Sequence, residues 1–123
     1  MTNSIAAIIE EYYDALTAGA VAYDGGRRMR PLLAEDLLFE GPIAGHVEGA
    51  DLFVEGVAGF IGTVQRIDLL HRTYDGDVAA SMYDAVLPDG VTRFAEFHRV
   101  TDGRIGSLRL VYDAETYIAS GGR

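Results

Sequence analysis

The stretch Phe94-Ala95-Glu96-Phe97-His98-Arg99-Val100 reads as one central β-strand. Alternation puts Phe94, Glu96 and His98 on one face and Ala95, Phe97 and Arg99 on the other. On an inner face, the carboxylic acid and the imidazole would project into apolar surroundings, roughly 7 Å apart along the strand. Burial favours the neutral form of an acid, whereas a neighbouring imidazolium favours its charged form. The opposite reading is an exposed face with an ordinary surface acid and His, which a register shift of one residue would produce.

Turn chemistry on both sides of this stretch gives the second half of the chain its shape. Thr101-Asp102-Gly103 is a turn, and Arg104 to Tyr112 is a last strand with Leu108, Leu110 and Tyr112 on one face. Towards the N-terminus, Pro88-Asp89-Gly90 is a hairpin turn between Val78–Leu87 and Val91–Val100. Asp75-Gly76-Asp77 links Val78 to a strand from Arg66 to Tyr74, in which Ile67, Leu69 and His71 share a face. These four strands form an antiparallel meander. Asp113 to Ser120 closes the chain as a strand end or a short helical tail.

The first half is helical. Asn3 or Ser4 can cap a helix whose apolar face carries Ile5, Ile8, Ile9, Tyr12 and Leu16, with Gly19 as its stop. Tyr12 is the only polar-tipped residue on that face, and a buried Tyr hydroxyl needs a partner. A short second helix is expected around Arg27 to Leu33, made irregular by Pro31. Leu37 to Glu40 is a short strand ended by Gly41-Pro42, and Ile43 to Gly49 is a loop with at most a stub of strand. Ala50 to Val64 reads as a third helix, in which Gly56, Gly59 and Gly62 weaken the helix and allow a close approach by another element. Segregated helices and antiparallel strands make an α+β fold.

Composition narrows the function classes. With 123 residues the chain suits one domain, spanning residues 1–123. A net charge of −9 repels phosphate backbones, which argues against nucleic acid as a partner. No apolar run approaches the roughly 20 residues of a membrane span. No secretion signal is visible, so a cytoplasmic location is expected. The absence of cysteine excludes thiolate chemistry, and the three separated His residues give no metal-ligand spacing. Neither a metal nor another cofactor is expected.

The run from Ile8 to Gly19 (Ile-Ile-Glu-Glu-Tyr-Tyr-Asp-Ala-Leu-Thr-Ala-Gly) and that from Leu32 to Pro42 resemble the nuclear-transport-factor-2-like superfamily. The closing strands, from Phe97 to Ile105 and from Leu108 to Asp113, are similar to its SnoaL-like branch. The resemblance implies a conical, curved sheet packed on three N-terminal helices, a cystatin-like α+β barrel. It also implies one apolar pocket and a homodimer formed through the sheet. The superfamily includes ketosteroid isomerases, polyketide cyclases, epoxide hydrolases, dehydratases and non-catalytic binding domains.

Its catalytic patterns can be laid on this sequence. Tyr12 stands where the isomerases carry a hydrogen-bonding Tyr, and Glu96 where they carry an acid kept neutral by an apolar site. Gly41, just before Pro42, stands where their proton-shuttling acid would be. Leu110 replaces an Asp of the epoxide hydrolases, which breaks their Asp-Arg-Asp set. In cyclases of this branch a single acid on the sheet serves, and Glu96 with His98 beside it is the candidate pair. His98 could equally fill an apolar site, His46 could reach the pocket mouth from its loop, and His71 is given no role.

The resulting expectation is proton transfer next to a carbonyl on an apolar small molecule, as in isomerisation, cyclisation or elimination. Glu96, His98 and Tyr12 would be catalytic, and Phe39, Phe60, Phe94, Leu108, Leu110 and Tyr112 would form the apolar wall. The alternatives are a non-catalytic binding or dimerisation domain, or a scaffold carrying an evolved or engineered activity.

Overall fold

In a computed structural model, which describes residues 4–123, the strand around Glu96 lies inside a six-stranded curved sheet that does not close. The strand order is β2-β1-β6-β5-β4-β3. The strands are β1 (Leu33–Gly41), β2 (Gly45–Glu48), β3 (Arg66–Asp75), β4 (Val78–Leu87), β5 (Gly90–Thr101) and β6 (Arg104–Val111). β3 to β6 form the expected meander. β1 pairs with β6 in parallel, so the sheet is mixed rather than wholly antiparallel. This pairing follows from the chain path: β1 and β6 are joined through most of the fold, not by a hairpin.

Helix α1 (Ile5–Thr17) lies against the inner face of this sheet. Ser4 Oγ accepts the Ala7 N–H at 3.2 Å and caps it, and Gly19 at φ 93° ends the segment. Asn3, the other candidate cap, lies outside the described residues. Ile8, Ile9, Tyr12 and Leu16 are buried as the periodicity predicts. Tyr13 is buried too, so Tyr12 is not alone as a polar-tipped inner residue. The curved sheet covers a wider arc of α1 than a single stripe, which brings two consecutive tyrosines under cover.

The region after α1 differs most from the sequence reading. A short α2 (Ala20–Tyr23) follows Gly19 directly, and the expected helix at 27–33 is reduced to one 3-10 turn over Arg30–Leu32. Pro31 lacks the N–H that a longer helix would need, and Leu33 already belongs to β1. β1 starts four residues before the predicted strand because a bulge between Leu33 and Leu38 breaks its alternation. The single helix expected at 50–64 is two, α3 (Ala50–Gly56) and α4 (Ala58–Thr63), joined at Val57. Of its three glycines only Gly59 meets a close neighbour: an added Cβ would lie 2.5 Å from the Arg123 carbonyl oxygen. In β3, a bulge after Leu69 places Arg72, not His71, opposite Ser81. Helix α5 (Ala114–Ala119) closes the described chain, capped by Asp113. No helix among the described residues is long and apolar enough to cross a membrane.

Gly26 shows how tightly the first half is fitted. It is buried at φ 96°, and an added Cβ would lie 2.2 Å from Val54 Cγ1. Val54 cannot easily yield, because its carbonyl accepts the buried Tyr23 hydroxyl at 2.7 Å. Gly26→Ala is therefore expected to destabilise the fold by about 2–4 kcal/mol, combining backbone strain with overpacking. A urea midpoint close to wild type would show instead that this turn can shift.

Candidate active site

Alternation along β5 holds across the whole strand. Phe94, Glu96 and His98 are 3%, 1% and 1% exposed, all on the inner face, while Phe97 and Arg99 face outward. On that inner face Glu96 lies between Ser81 of β4 and Leu110 of β6. One step away, Phe94 lies opposite Tyr83; one step the other way, His98 lies between Ala79 and Leu108.

A cavity of about 190 Å³ opens above this face. Its deep wall carries Tyr12, Leu16, Phe60, Tyr83, Phe94 and Tyr117, all buried, with Glu96 among them. Phe39, Leu110 and Tyr112 extend the wall, and the exposed Ile43, Ala44 and Leu52 mark the mouth. Thus Phe39, Phe60, Phe94, Leu110 and Tyr112 line the cavity. Leu108 does not. It is fully buried beside His98, one inward position before Leu110 on β6. His46 is also elsewhere: it sits on β2, exposed, with Nε2 3.1 Å from Glu40 on the outer face.

Both oxygens of Glu96 are engaged. Tyr12 donates its hydroxyl to Oε2 at 3.0 Å, and Tyr83 donates to Oε1. Burial, followed by the charge of Glu96, raises the pKa of both phenols well above the ordinary tyrosine value. They therefore remain neutral hydroxyl donors at neutral pH. Tyr12 does not offer its hydrogen to the cavity, as the sequence reading had it, but commits it to Glu96. Tyr83 went unread in the sequence. Counting back from the hairpin turn at Pro88-Asp89 does place it opposite Phe94, so its position was available.

His98 lies behind this group and not on the cavity wall. The Tyr12 ring stands edge-on to it, with centroids 4.6 Å apart. Its Nε2 is 3.2 Å from Glu96 Oε2 but not aligned as a hydrogen bond. Neither ring nitrogen has a hydrogen-bond partner among the described residues. A ligand in the cavity would touch Glu96, Tyr12 and Tyr83, and His98 could act only through Glu96. Tyr13 completes the cluster. Its ring packs edge-on to Tyr12 and Tyr83, under the Arg72 guanidinium 4.4 Å above it, and Arg72 Nε donates to Ser81 Oγ at 2.8 Å.

A sequence profile of the SnoaL-like domain matches residues 9–107, most of the chain, including Tyr12, Tyr83, Glu96 and His98. The chain belongs to the SnoaL-like family. Its fold is also that of solved nuclear-transport-factor-2-like structures. One, from Cytophaga hutchinsonii and of unknown function, superposes with a TM-score of 0.77 at 17% identity, covering 96% of this chain and 97% of that one. A presumed ketosteroid isomerase from Kribbella flavida superposes at 0.75 with 21% identity, covering 91% and 79%. A de novo designed protein with a curved β-sheet reaches 0.76 at 17% identity, covering 95% and 91%. No curated protein matches the sequence. At these identities the structures establish the fold alone. Within this SnoaL-like chain, Gly41 does line the cavity, but it brings no acid there.

Proposed function

We propose that this SnoaL-like protein binds an apolar small molecule in the cavity and transfers a proton on it, next to a carbonyl or enol oxygen. One observation carries the reading: a carboxyl group, 1% exposed, stands in the wall of a mainly apolar cavity rich in aromatic side chains, with two tyrosine hydroxyls converging on it. Glu96 is the proton carrier. When its carboxylate accepts a proton from the ligand, negative charge moves from Glu96 to the ligand oxygen. The Tyr12 and Tyr83 hydroxyls then bond the developing oxyanion in place of the carboxylate they held before. Return of the proton to a second atom of the ligand restores Glu96 and its two hydrogen bonds. The carboxylate alone both takes and returns the proton, so the vacant acid position at Gly41 is not needed. His98 is a positioning residue, its Nε2 set 3.2 Å from Glu96 Oε2 behind the cavity wall.

The binding-only reading is favoured by a different feature, since both Glu96 oxygens are already occupied by tyrosines. On the outer face, Leu38, Met82, Phe97 and Val111 are 43–59% exposed and suit contact with a second copy of the chain. A thermal-shift screen of apolar ketones and phenols, on wild type and Glu96→Gln, tests the proposal. A ligand at about 100 times its dissociation constant adds roughly 2.7 kcal/mol of stability. Shifts that change with Glu96→Gln are expected. If no compound shifts either protein, the cavity does not serve a ligand, and assembly through the sheet becomes the leading reading.

A further inference from the structure

The cavity's size and its hydrogen-bond inventory together define a ligand class. Ligand pockets for drug-sized molecules start at roughly 300 Å³. An apolar cavity of about 150 Å³ is enough to hold benzene. At about 190 Å³, this cavity lies just above the second figure and well below the first. It has room for one substituted ring. Any further ring would lie outside the mouth at Ile43, Ala44 and Leu52, which are exposed to water.

The polar end of the cavity is as selective as its volume. Tyr12 and Tyr83 have one hydroxyl hydrogen each, and both are given to Glu96. Beside Glu96 the resting site therefore offers a ligand only lone pairs, on the two phenol oxygens and the carboxylate, although Tyr112 and Arg123 also line the cavity. A ketone oxygen or an ether would face acceptors. A ligand O–H would find acceptors where it needs them, one of them carrying charge.

We infer that the ligand is a single-ring molecule bearing a hydroxyl on an unsaturated carbon, an enol or a phenol, with that hydroxyl directed at Glu96, Tyr12 and Tyr83. This rests on the proposed proton-transfer reading and names the form of substrate that enters it. For an enol, the O–H bond breaks and its proton passes to the Glu96 carboxylate. The electron pair stays on the ligand as an enolate. Return of the proton to carbon forms a C–H bond and gives the ketone, with no other reactant required. The ketone product then faces lone pairs, which favours its release.

Calorimetric titration of the full chain with three probes tests this: para-ethylphenol, its methyl ether para-ethylanisole, and the four-ring phenol estradiol. Para-ethylphenol is expected to bind at least about tenfold more tightly than the ether, the size of one hydrogen bond to a charged group. Estradiol is expected to bind at least about tenfold more weakly than para-ethylphenol, and Glu96→Gln to remove most of the advantage of phenol over ether. Equal affinity for phenol and ether would overturn the hydroxyl requirement while leaving the cavity a ligand site. Estradiol binding as tightly as para-ethylphenol would overturn the one-ring limit alone. Phenol affinity unchanged by Glu96→Gln would place the ligand elsewhere and overturn the inference. Failure of all three probes would bring down the proton-transfer reading together with this one.

Discussion

Glu96→Gln is expected to lower turnover of a bound enol or ketone by about 10²–10⁴-fold, the range that a positioned general acid–base contributes. Gln has nearly the volume of Glu but cannot carry a proton. Its carbonyl oxygen can still accept from one of Tyr12 and Tyr83, which both donate to Glu96 in the wild type. Its amide can donate to the oxygen of the other. The fold should therefore survive with a loss of about 1–3 kcal/mol, and KM should change far less than kcat. Steady-state kinetics on a ligand identified by binding, with circular dichroism as the check on folding, decides it. Turnover near wild type in a folded variant would show that the proton travels by another route.

The second large effect is on stability at high pH. Burial raises the pKa of Tyr12, Tyr13 and Tyr83 far above the ordinary tyrosine value, and the charge of Glu96 adds to it. Tyr23, less deeply placed, is pushed up to about 12. In the unfolded chain these phenols lose their protons near pH 10. Above that pH the unfolded state binds fewer protons than the native state, so unfolding becomes easier as pH rises. The stabilisation is complete below about pH 10 and is lost progressively above it. Three phenols held fully protonated give a slope of about 4 kcal/mol per pH unit. Urea midpoints from about pH 8 to about pH 11, followed together with phenolate absorbance in the near ultraviolet, provide the measurement. The expected result is phenolate appearing in step with unfolding. A gradual titration of these phenols in an intact fold would mean that water reaches them.

The sequence by itself determined the four strands of the meander and that Glu96 shares a face with Phe94 and His98; that this face is the inner one was decided by the tertiary structure. Turn residues at Asp75-Gly76-Asp77, Pro88-Asp89-Gly90 and Thr101-Asp102-Gly103 set the meander, and strict period-two alternation on β5 put Phe94, Glu96 and His98 on one face. Both signals are local: a turn's backbone and a strand's pleat depend on neighbours a few residues away. Other features depended on partners remote in sequence. The bulges in β1 and β3 interrupt the alternation, so the early start of β1 and the inward position of Arg72 could not be read from spacing. The parallel pairing of β1 with β6 likewise joins segments some seventy residues apart. The tertiary structure alone decided which inward residues reach the cavity. Leu108 and Leu110 point the same way on one strand, yet only Leu110 lines it, because α1 lays Tyr12 across the row that contains Leu108 and His98. It also decided that Tyr12 and Tyr83, distant from Glu96 in the chain, spend their hydroxyl hydrogens on its carboxylate. Hydrogen-bond partners are chosen by packing between elements, and no local pattern in the sequence records that choice.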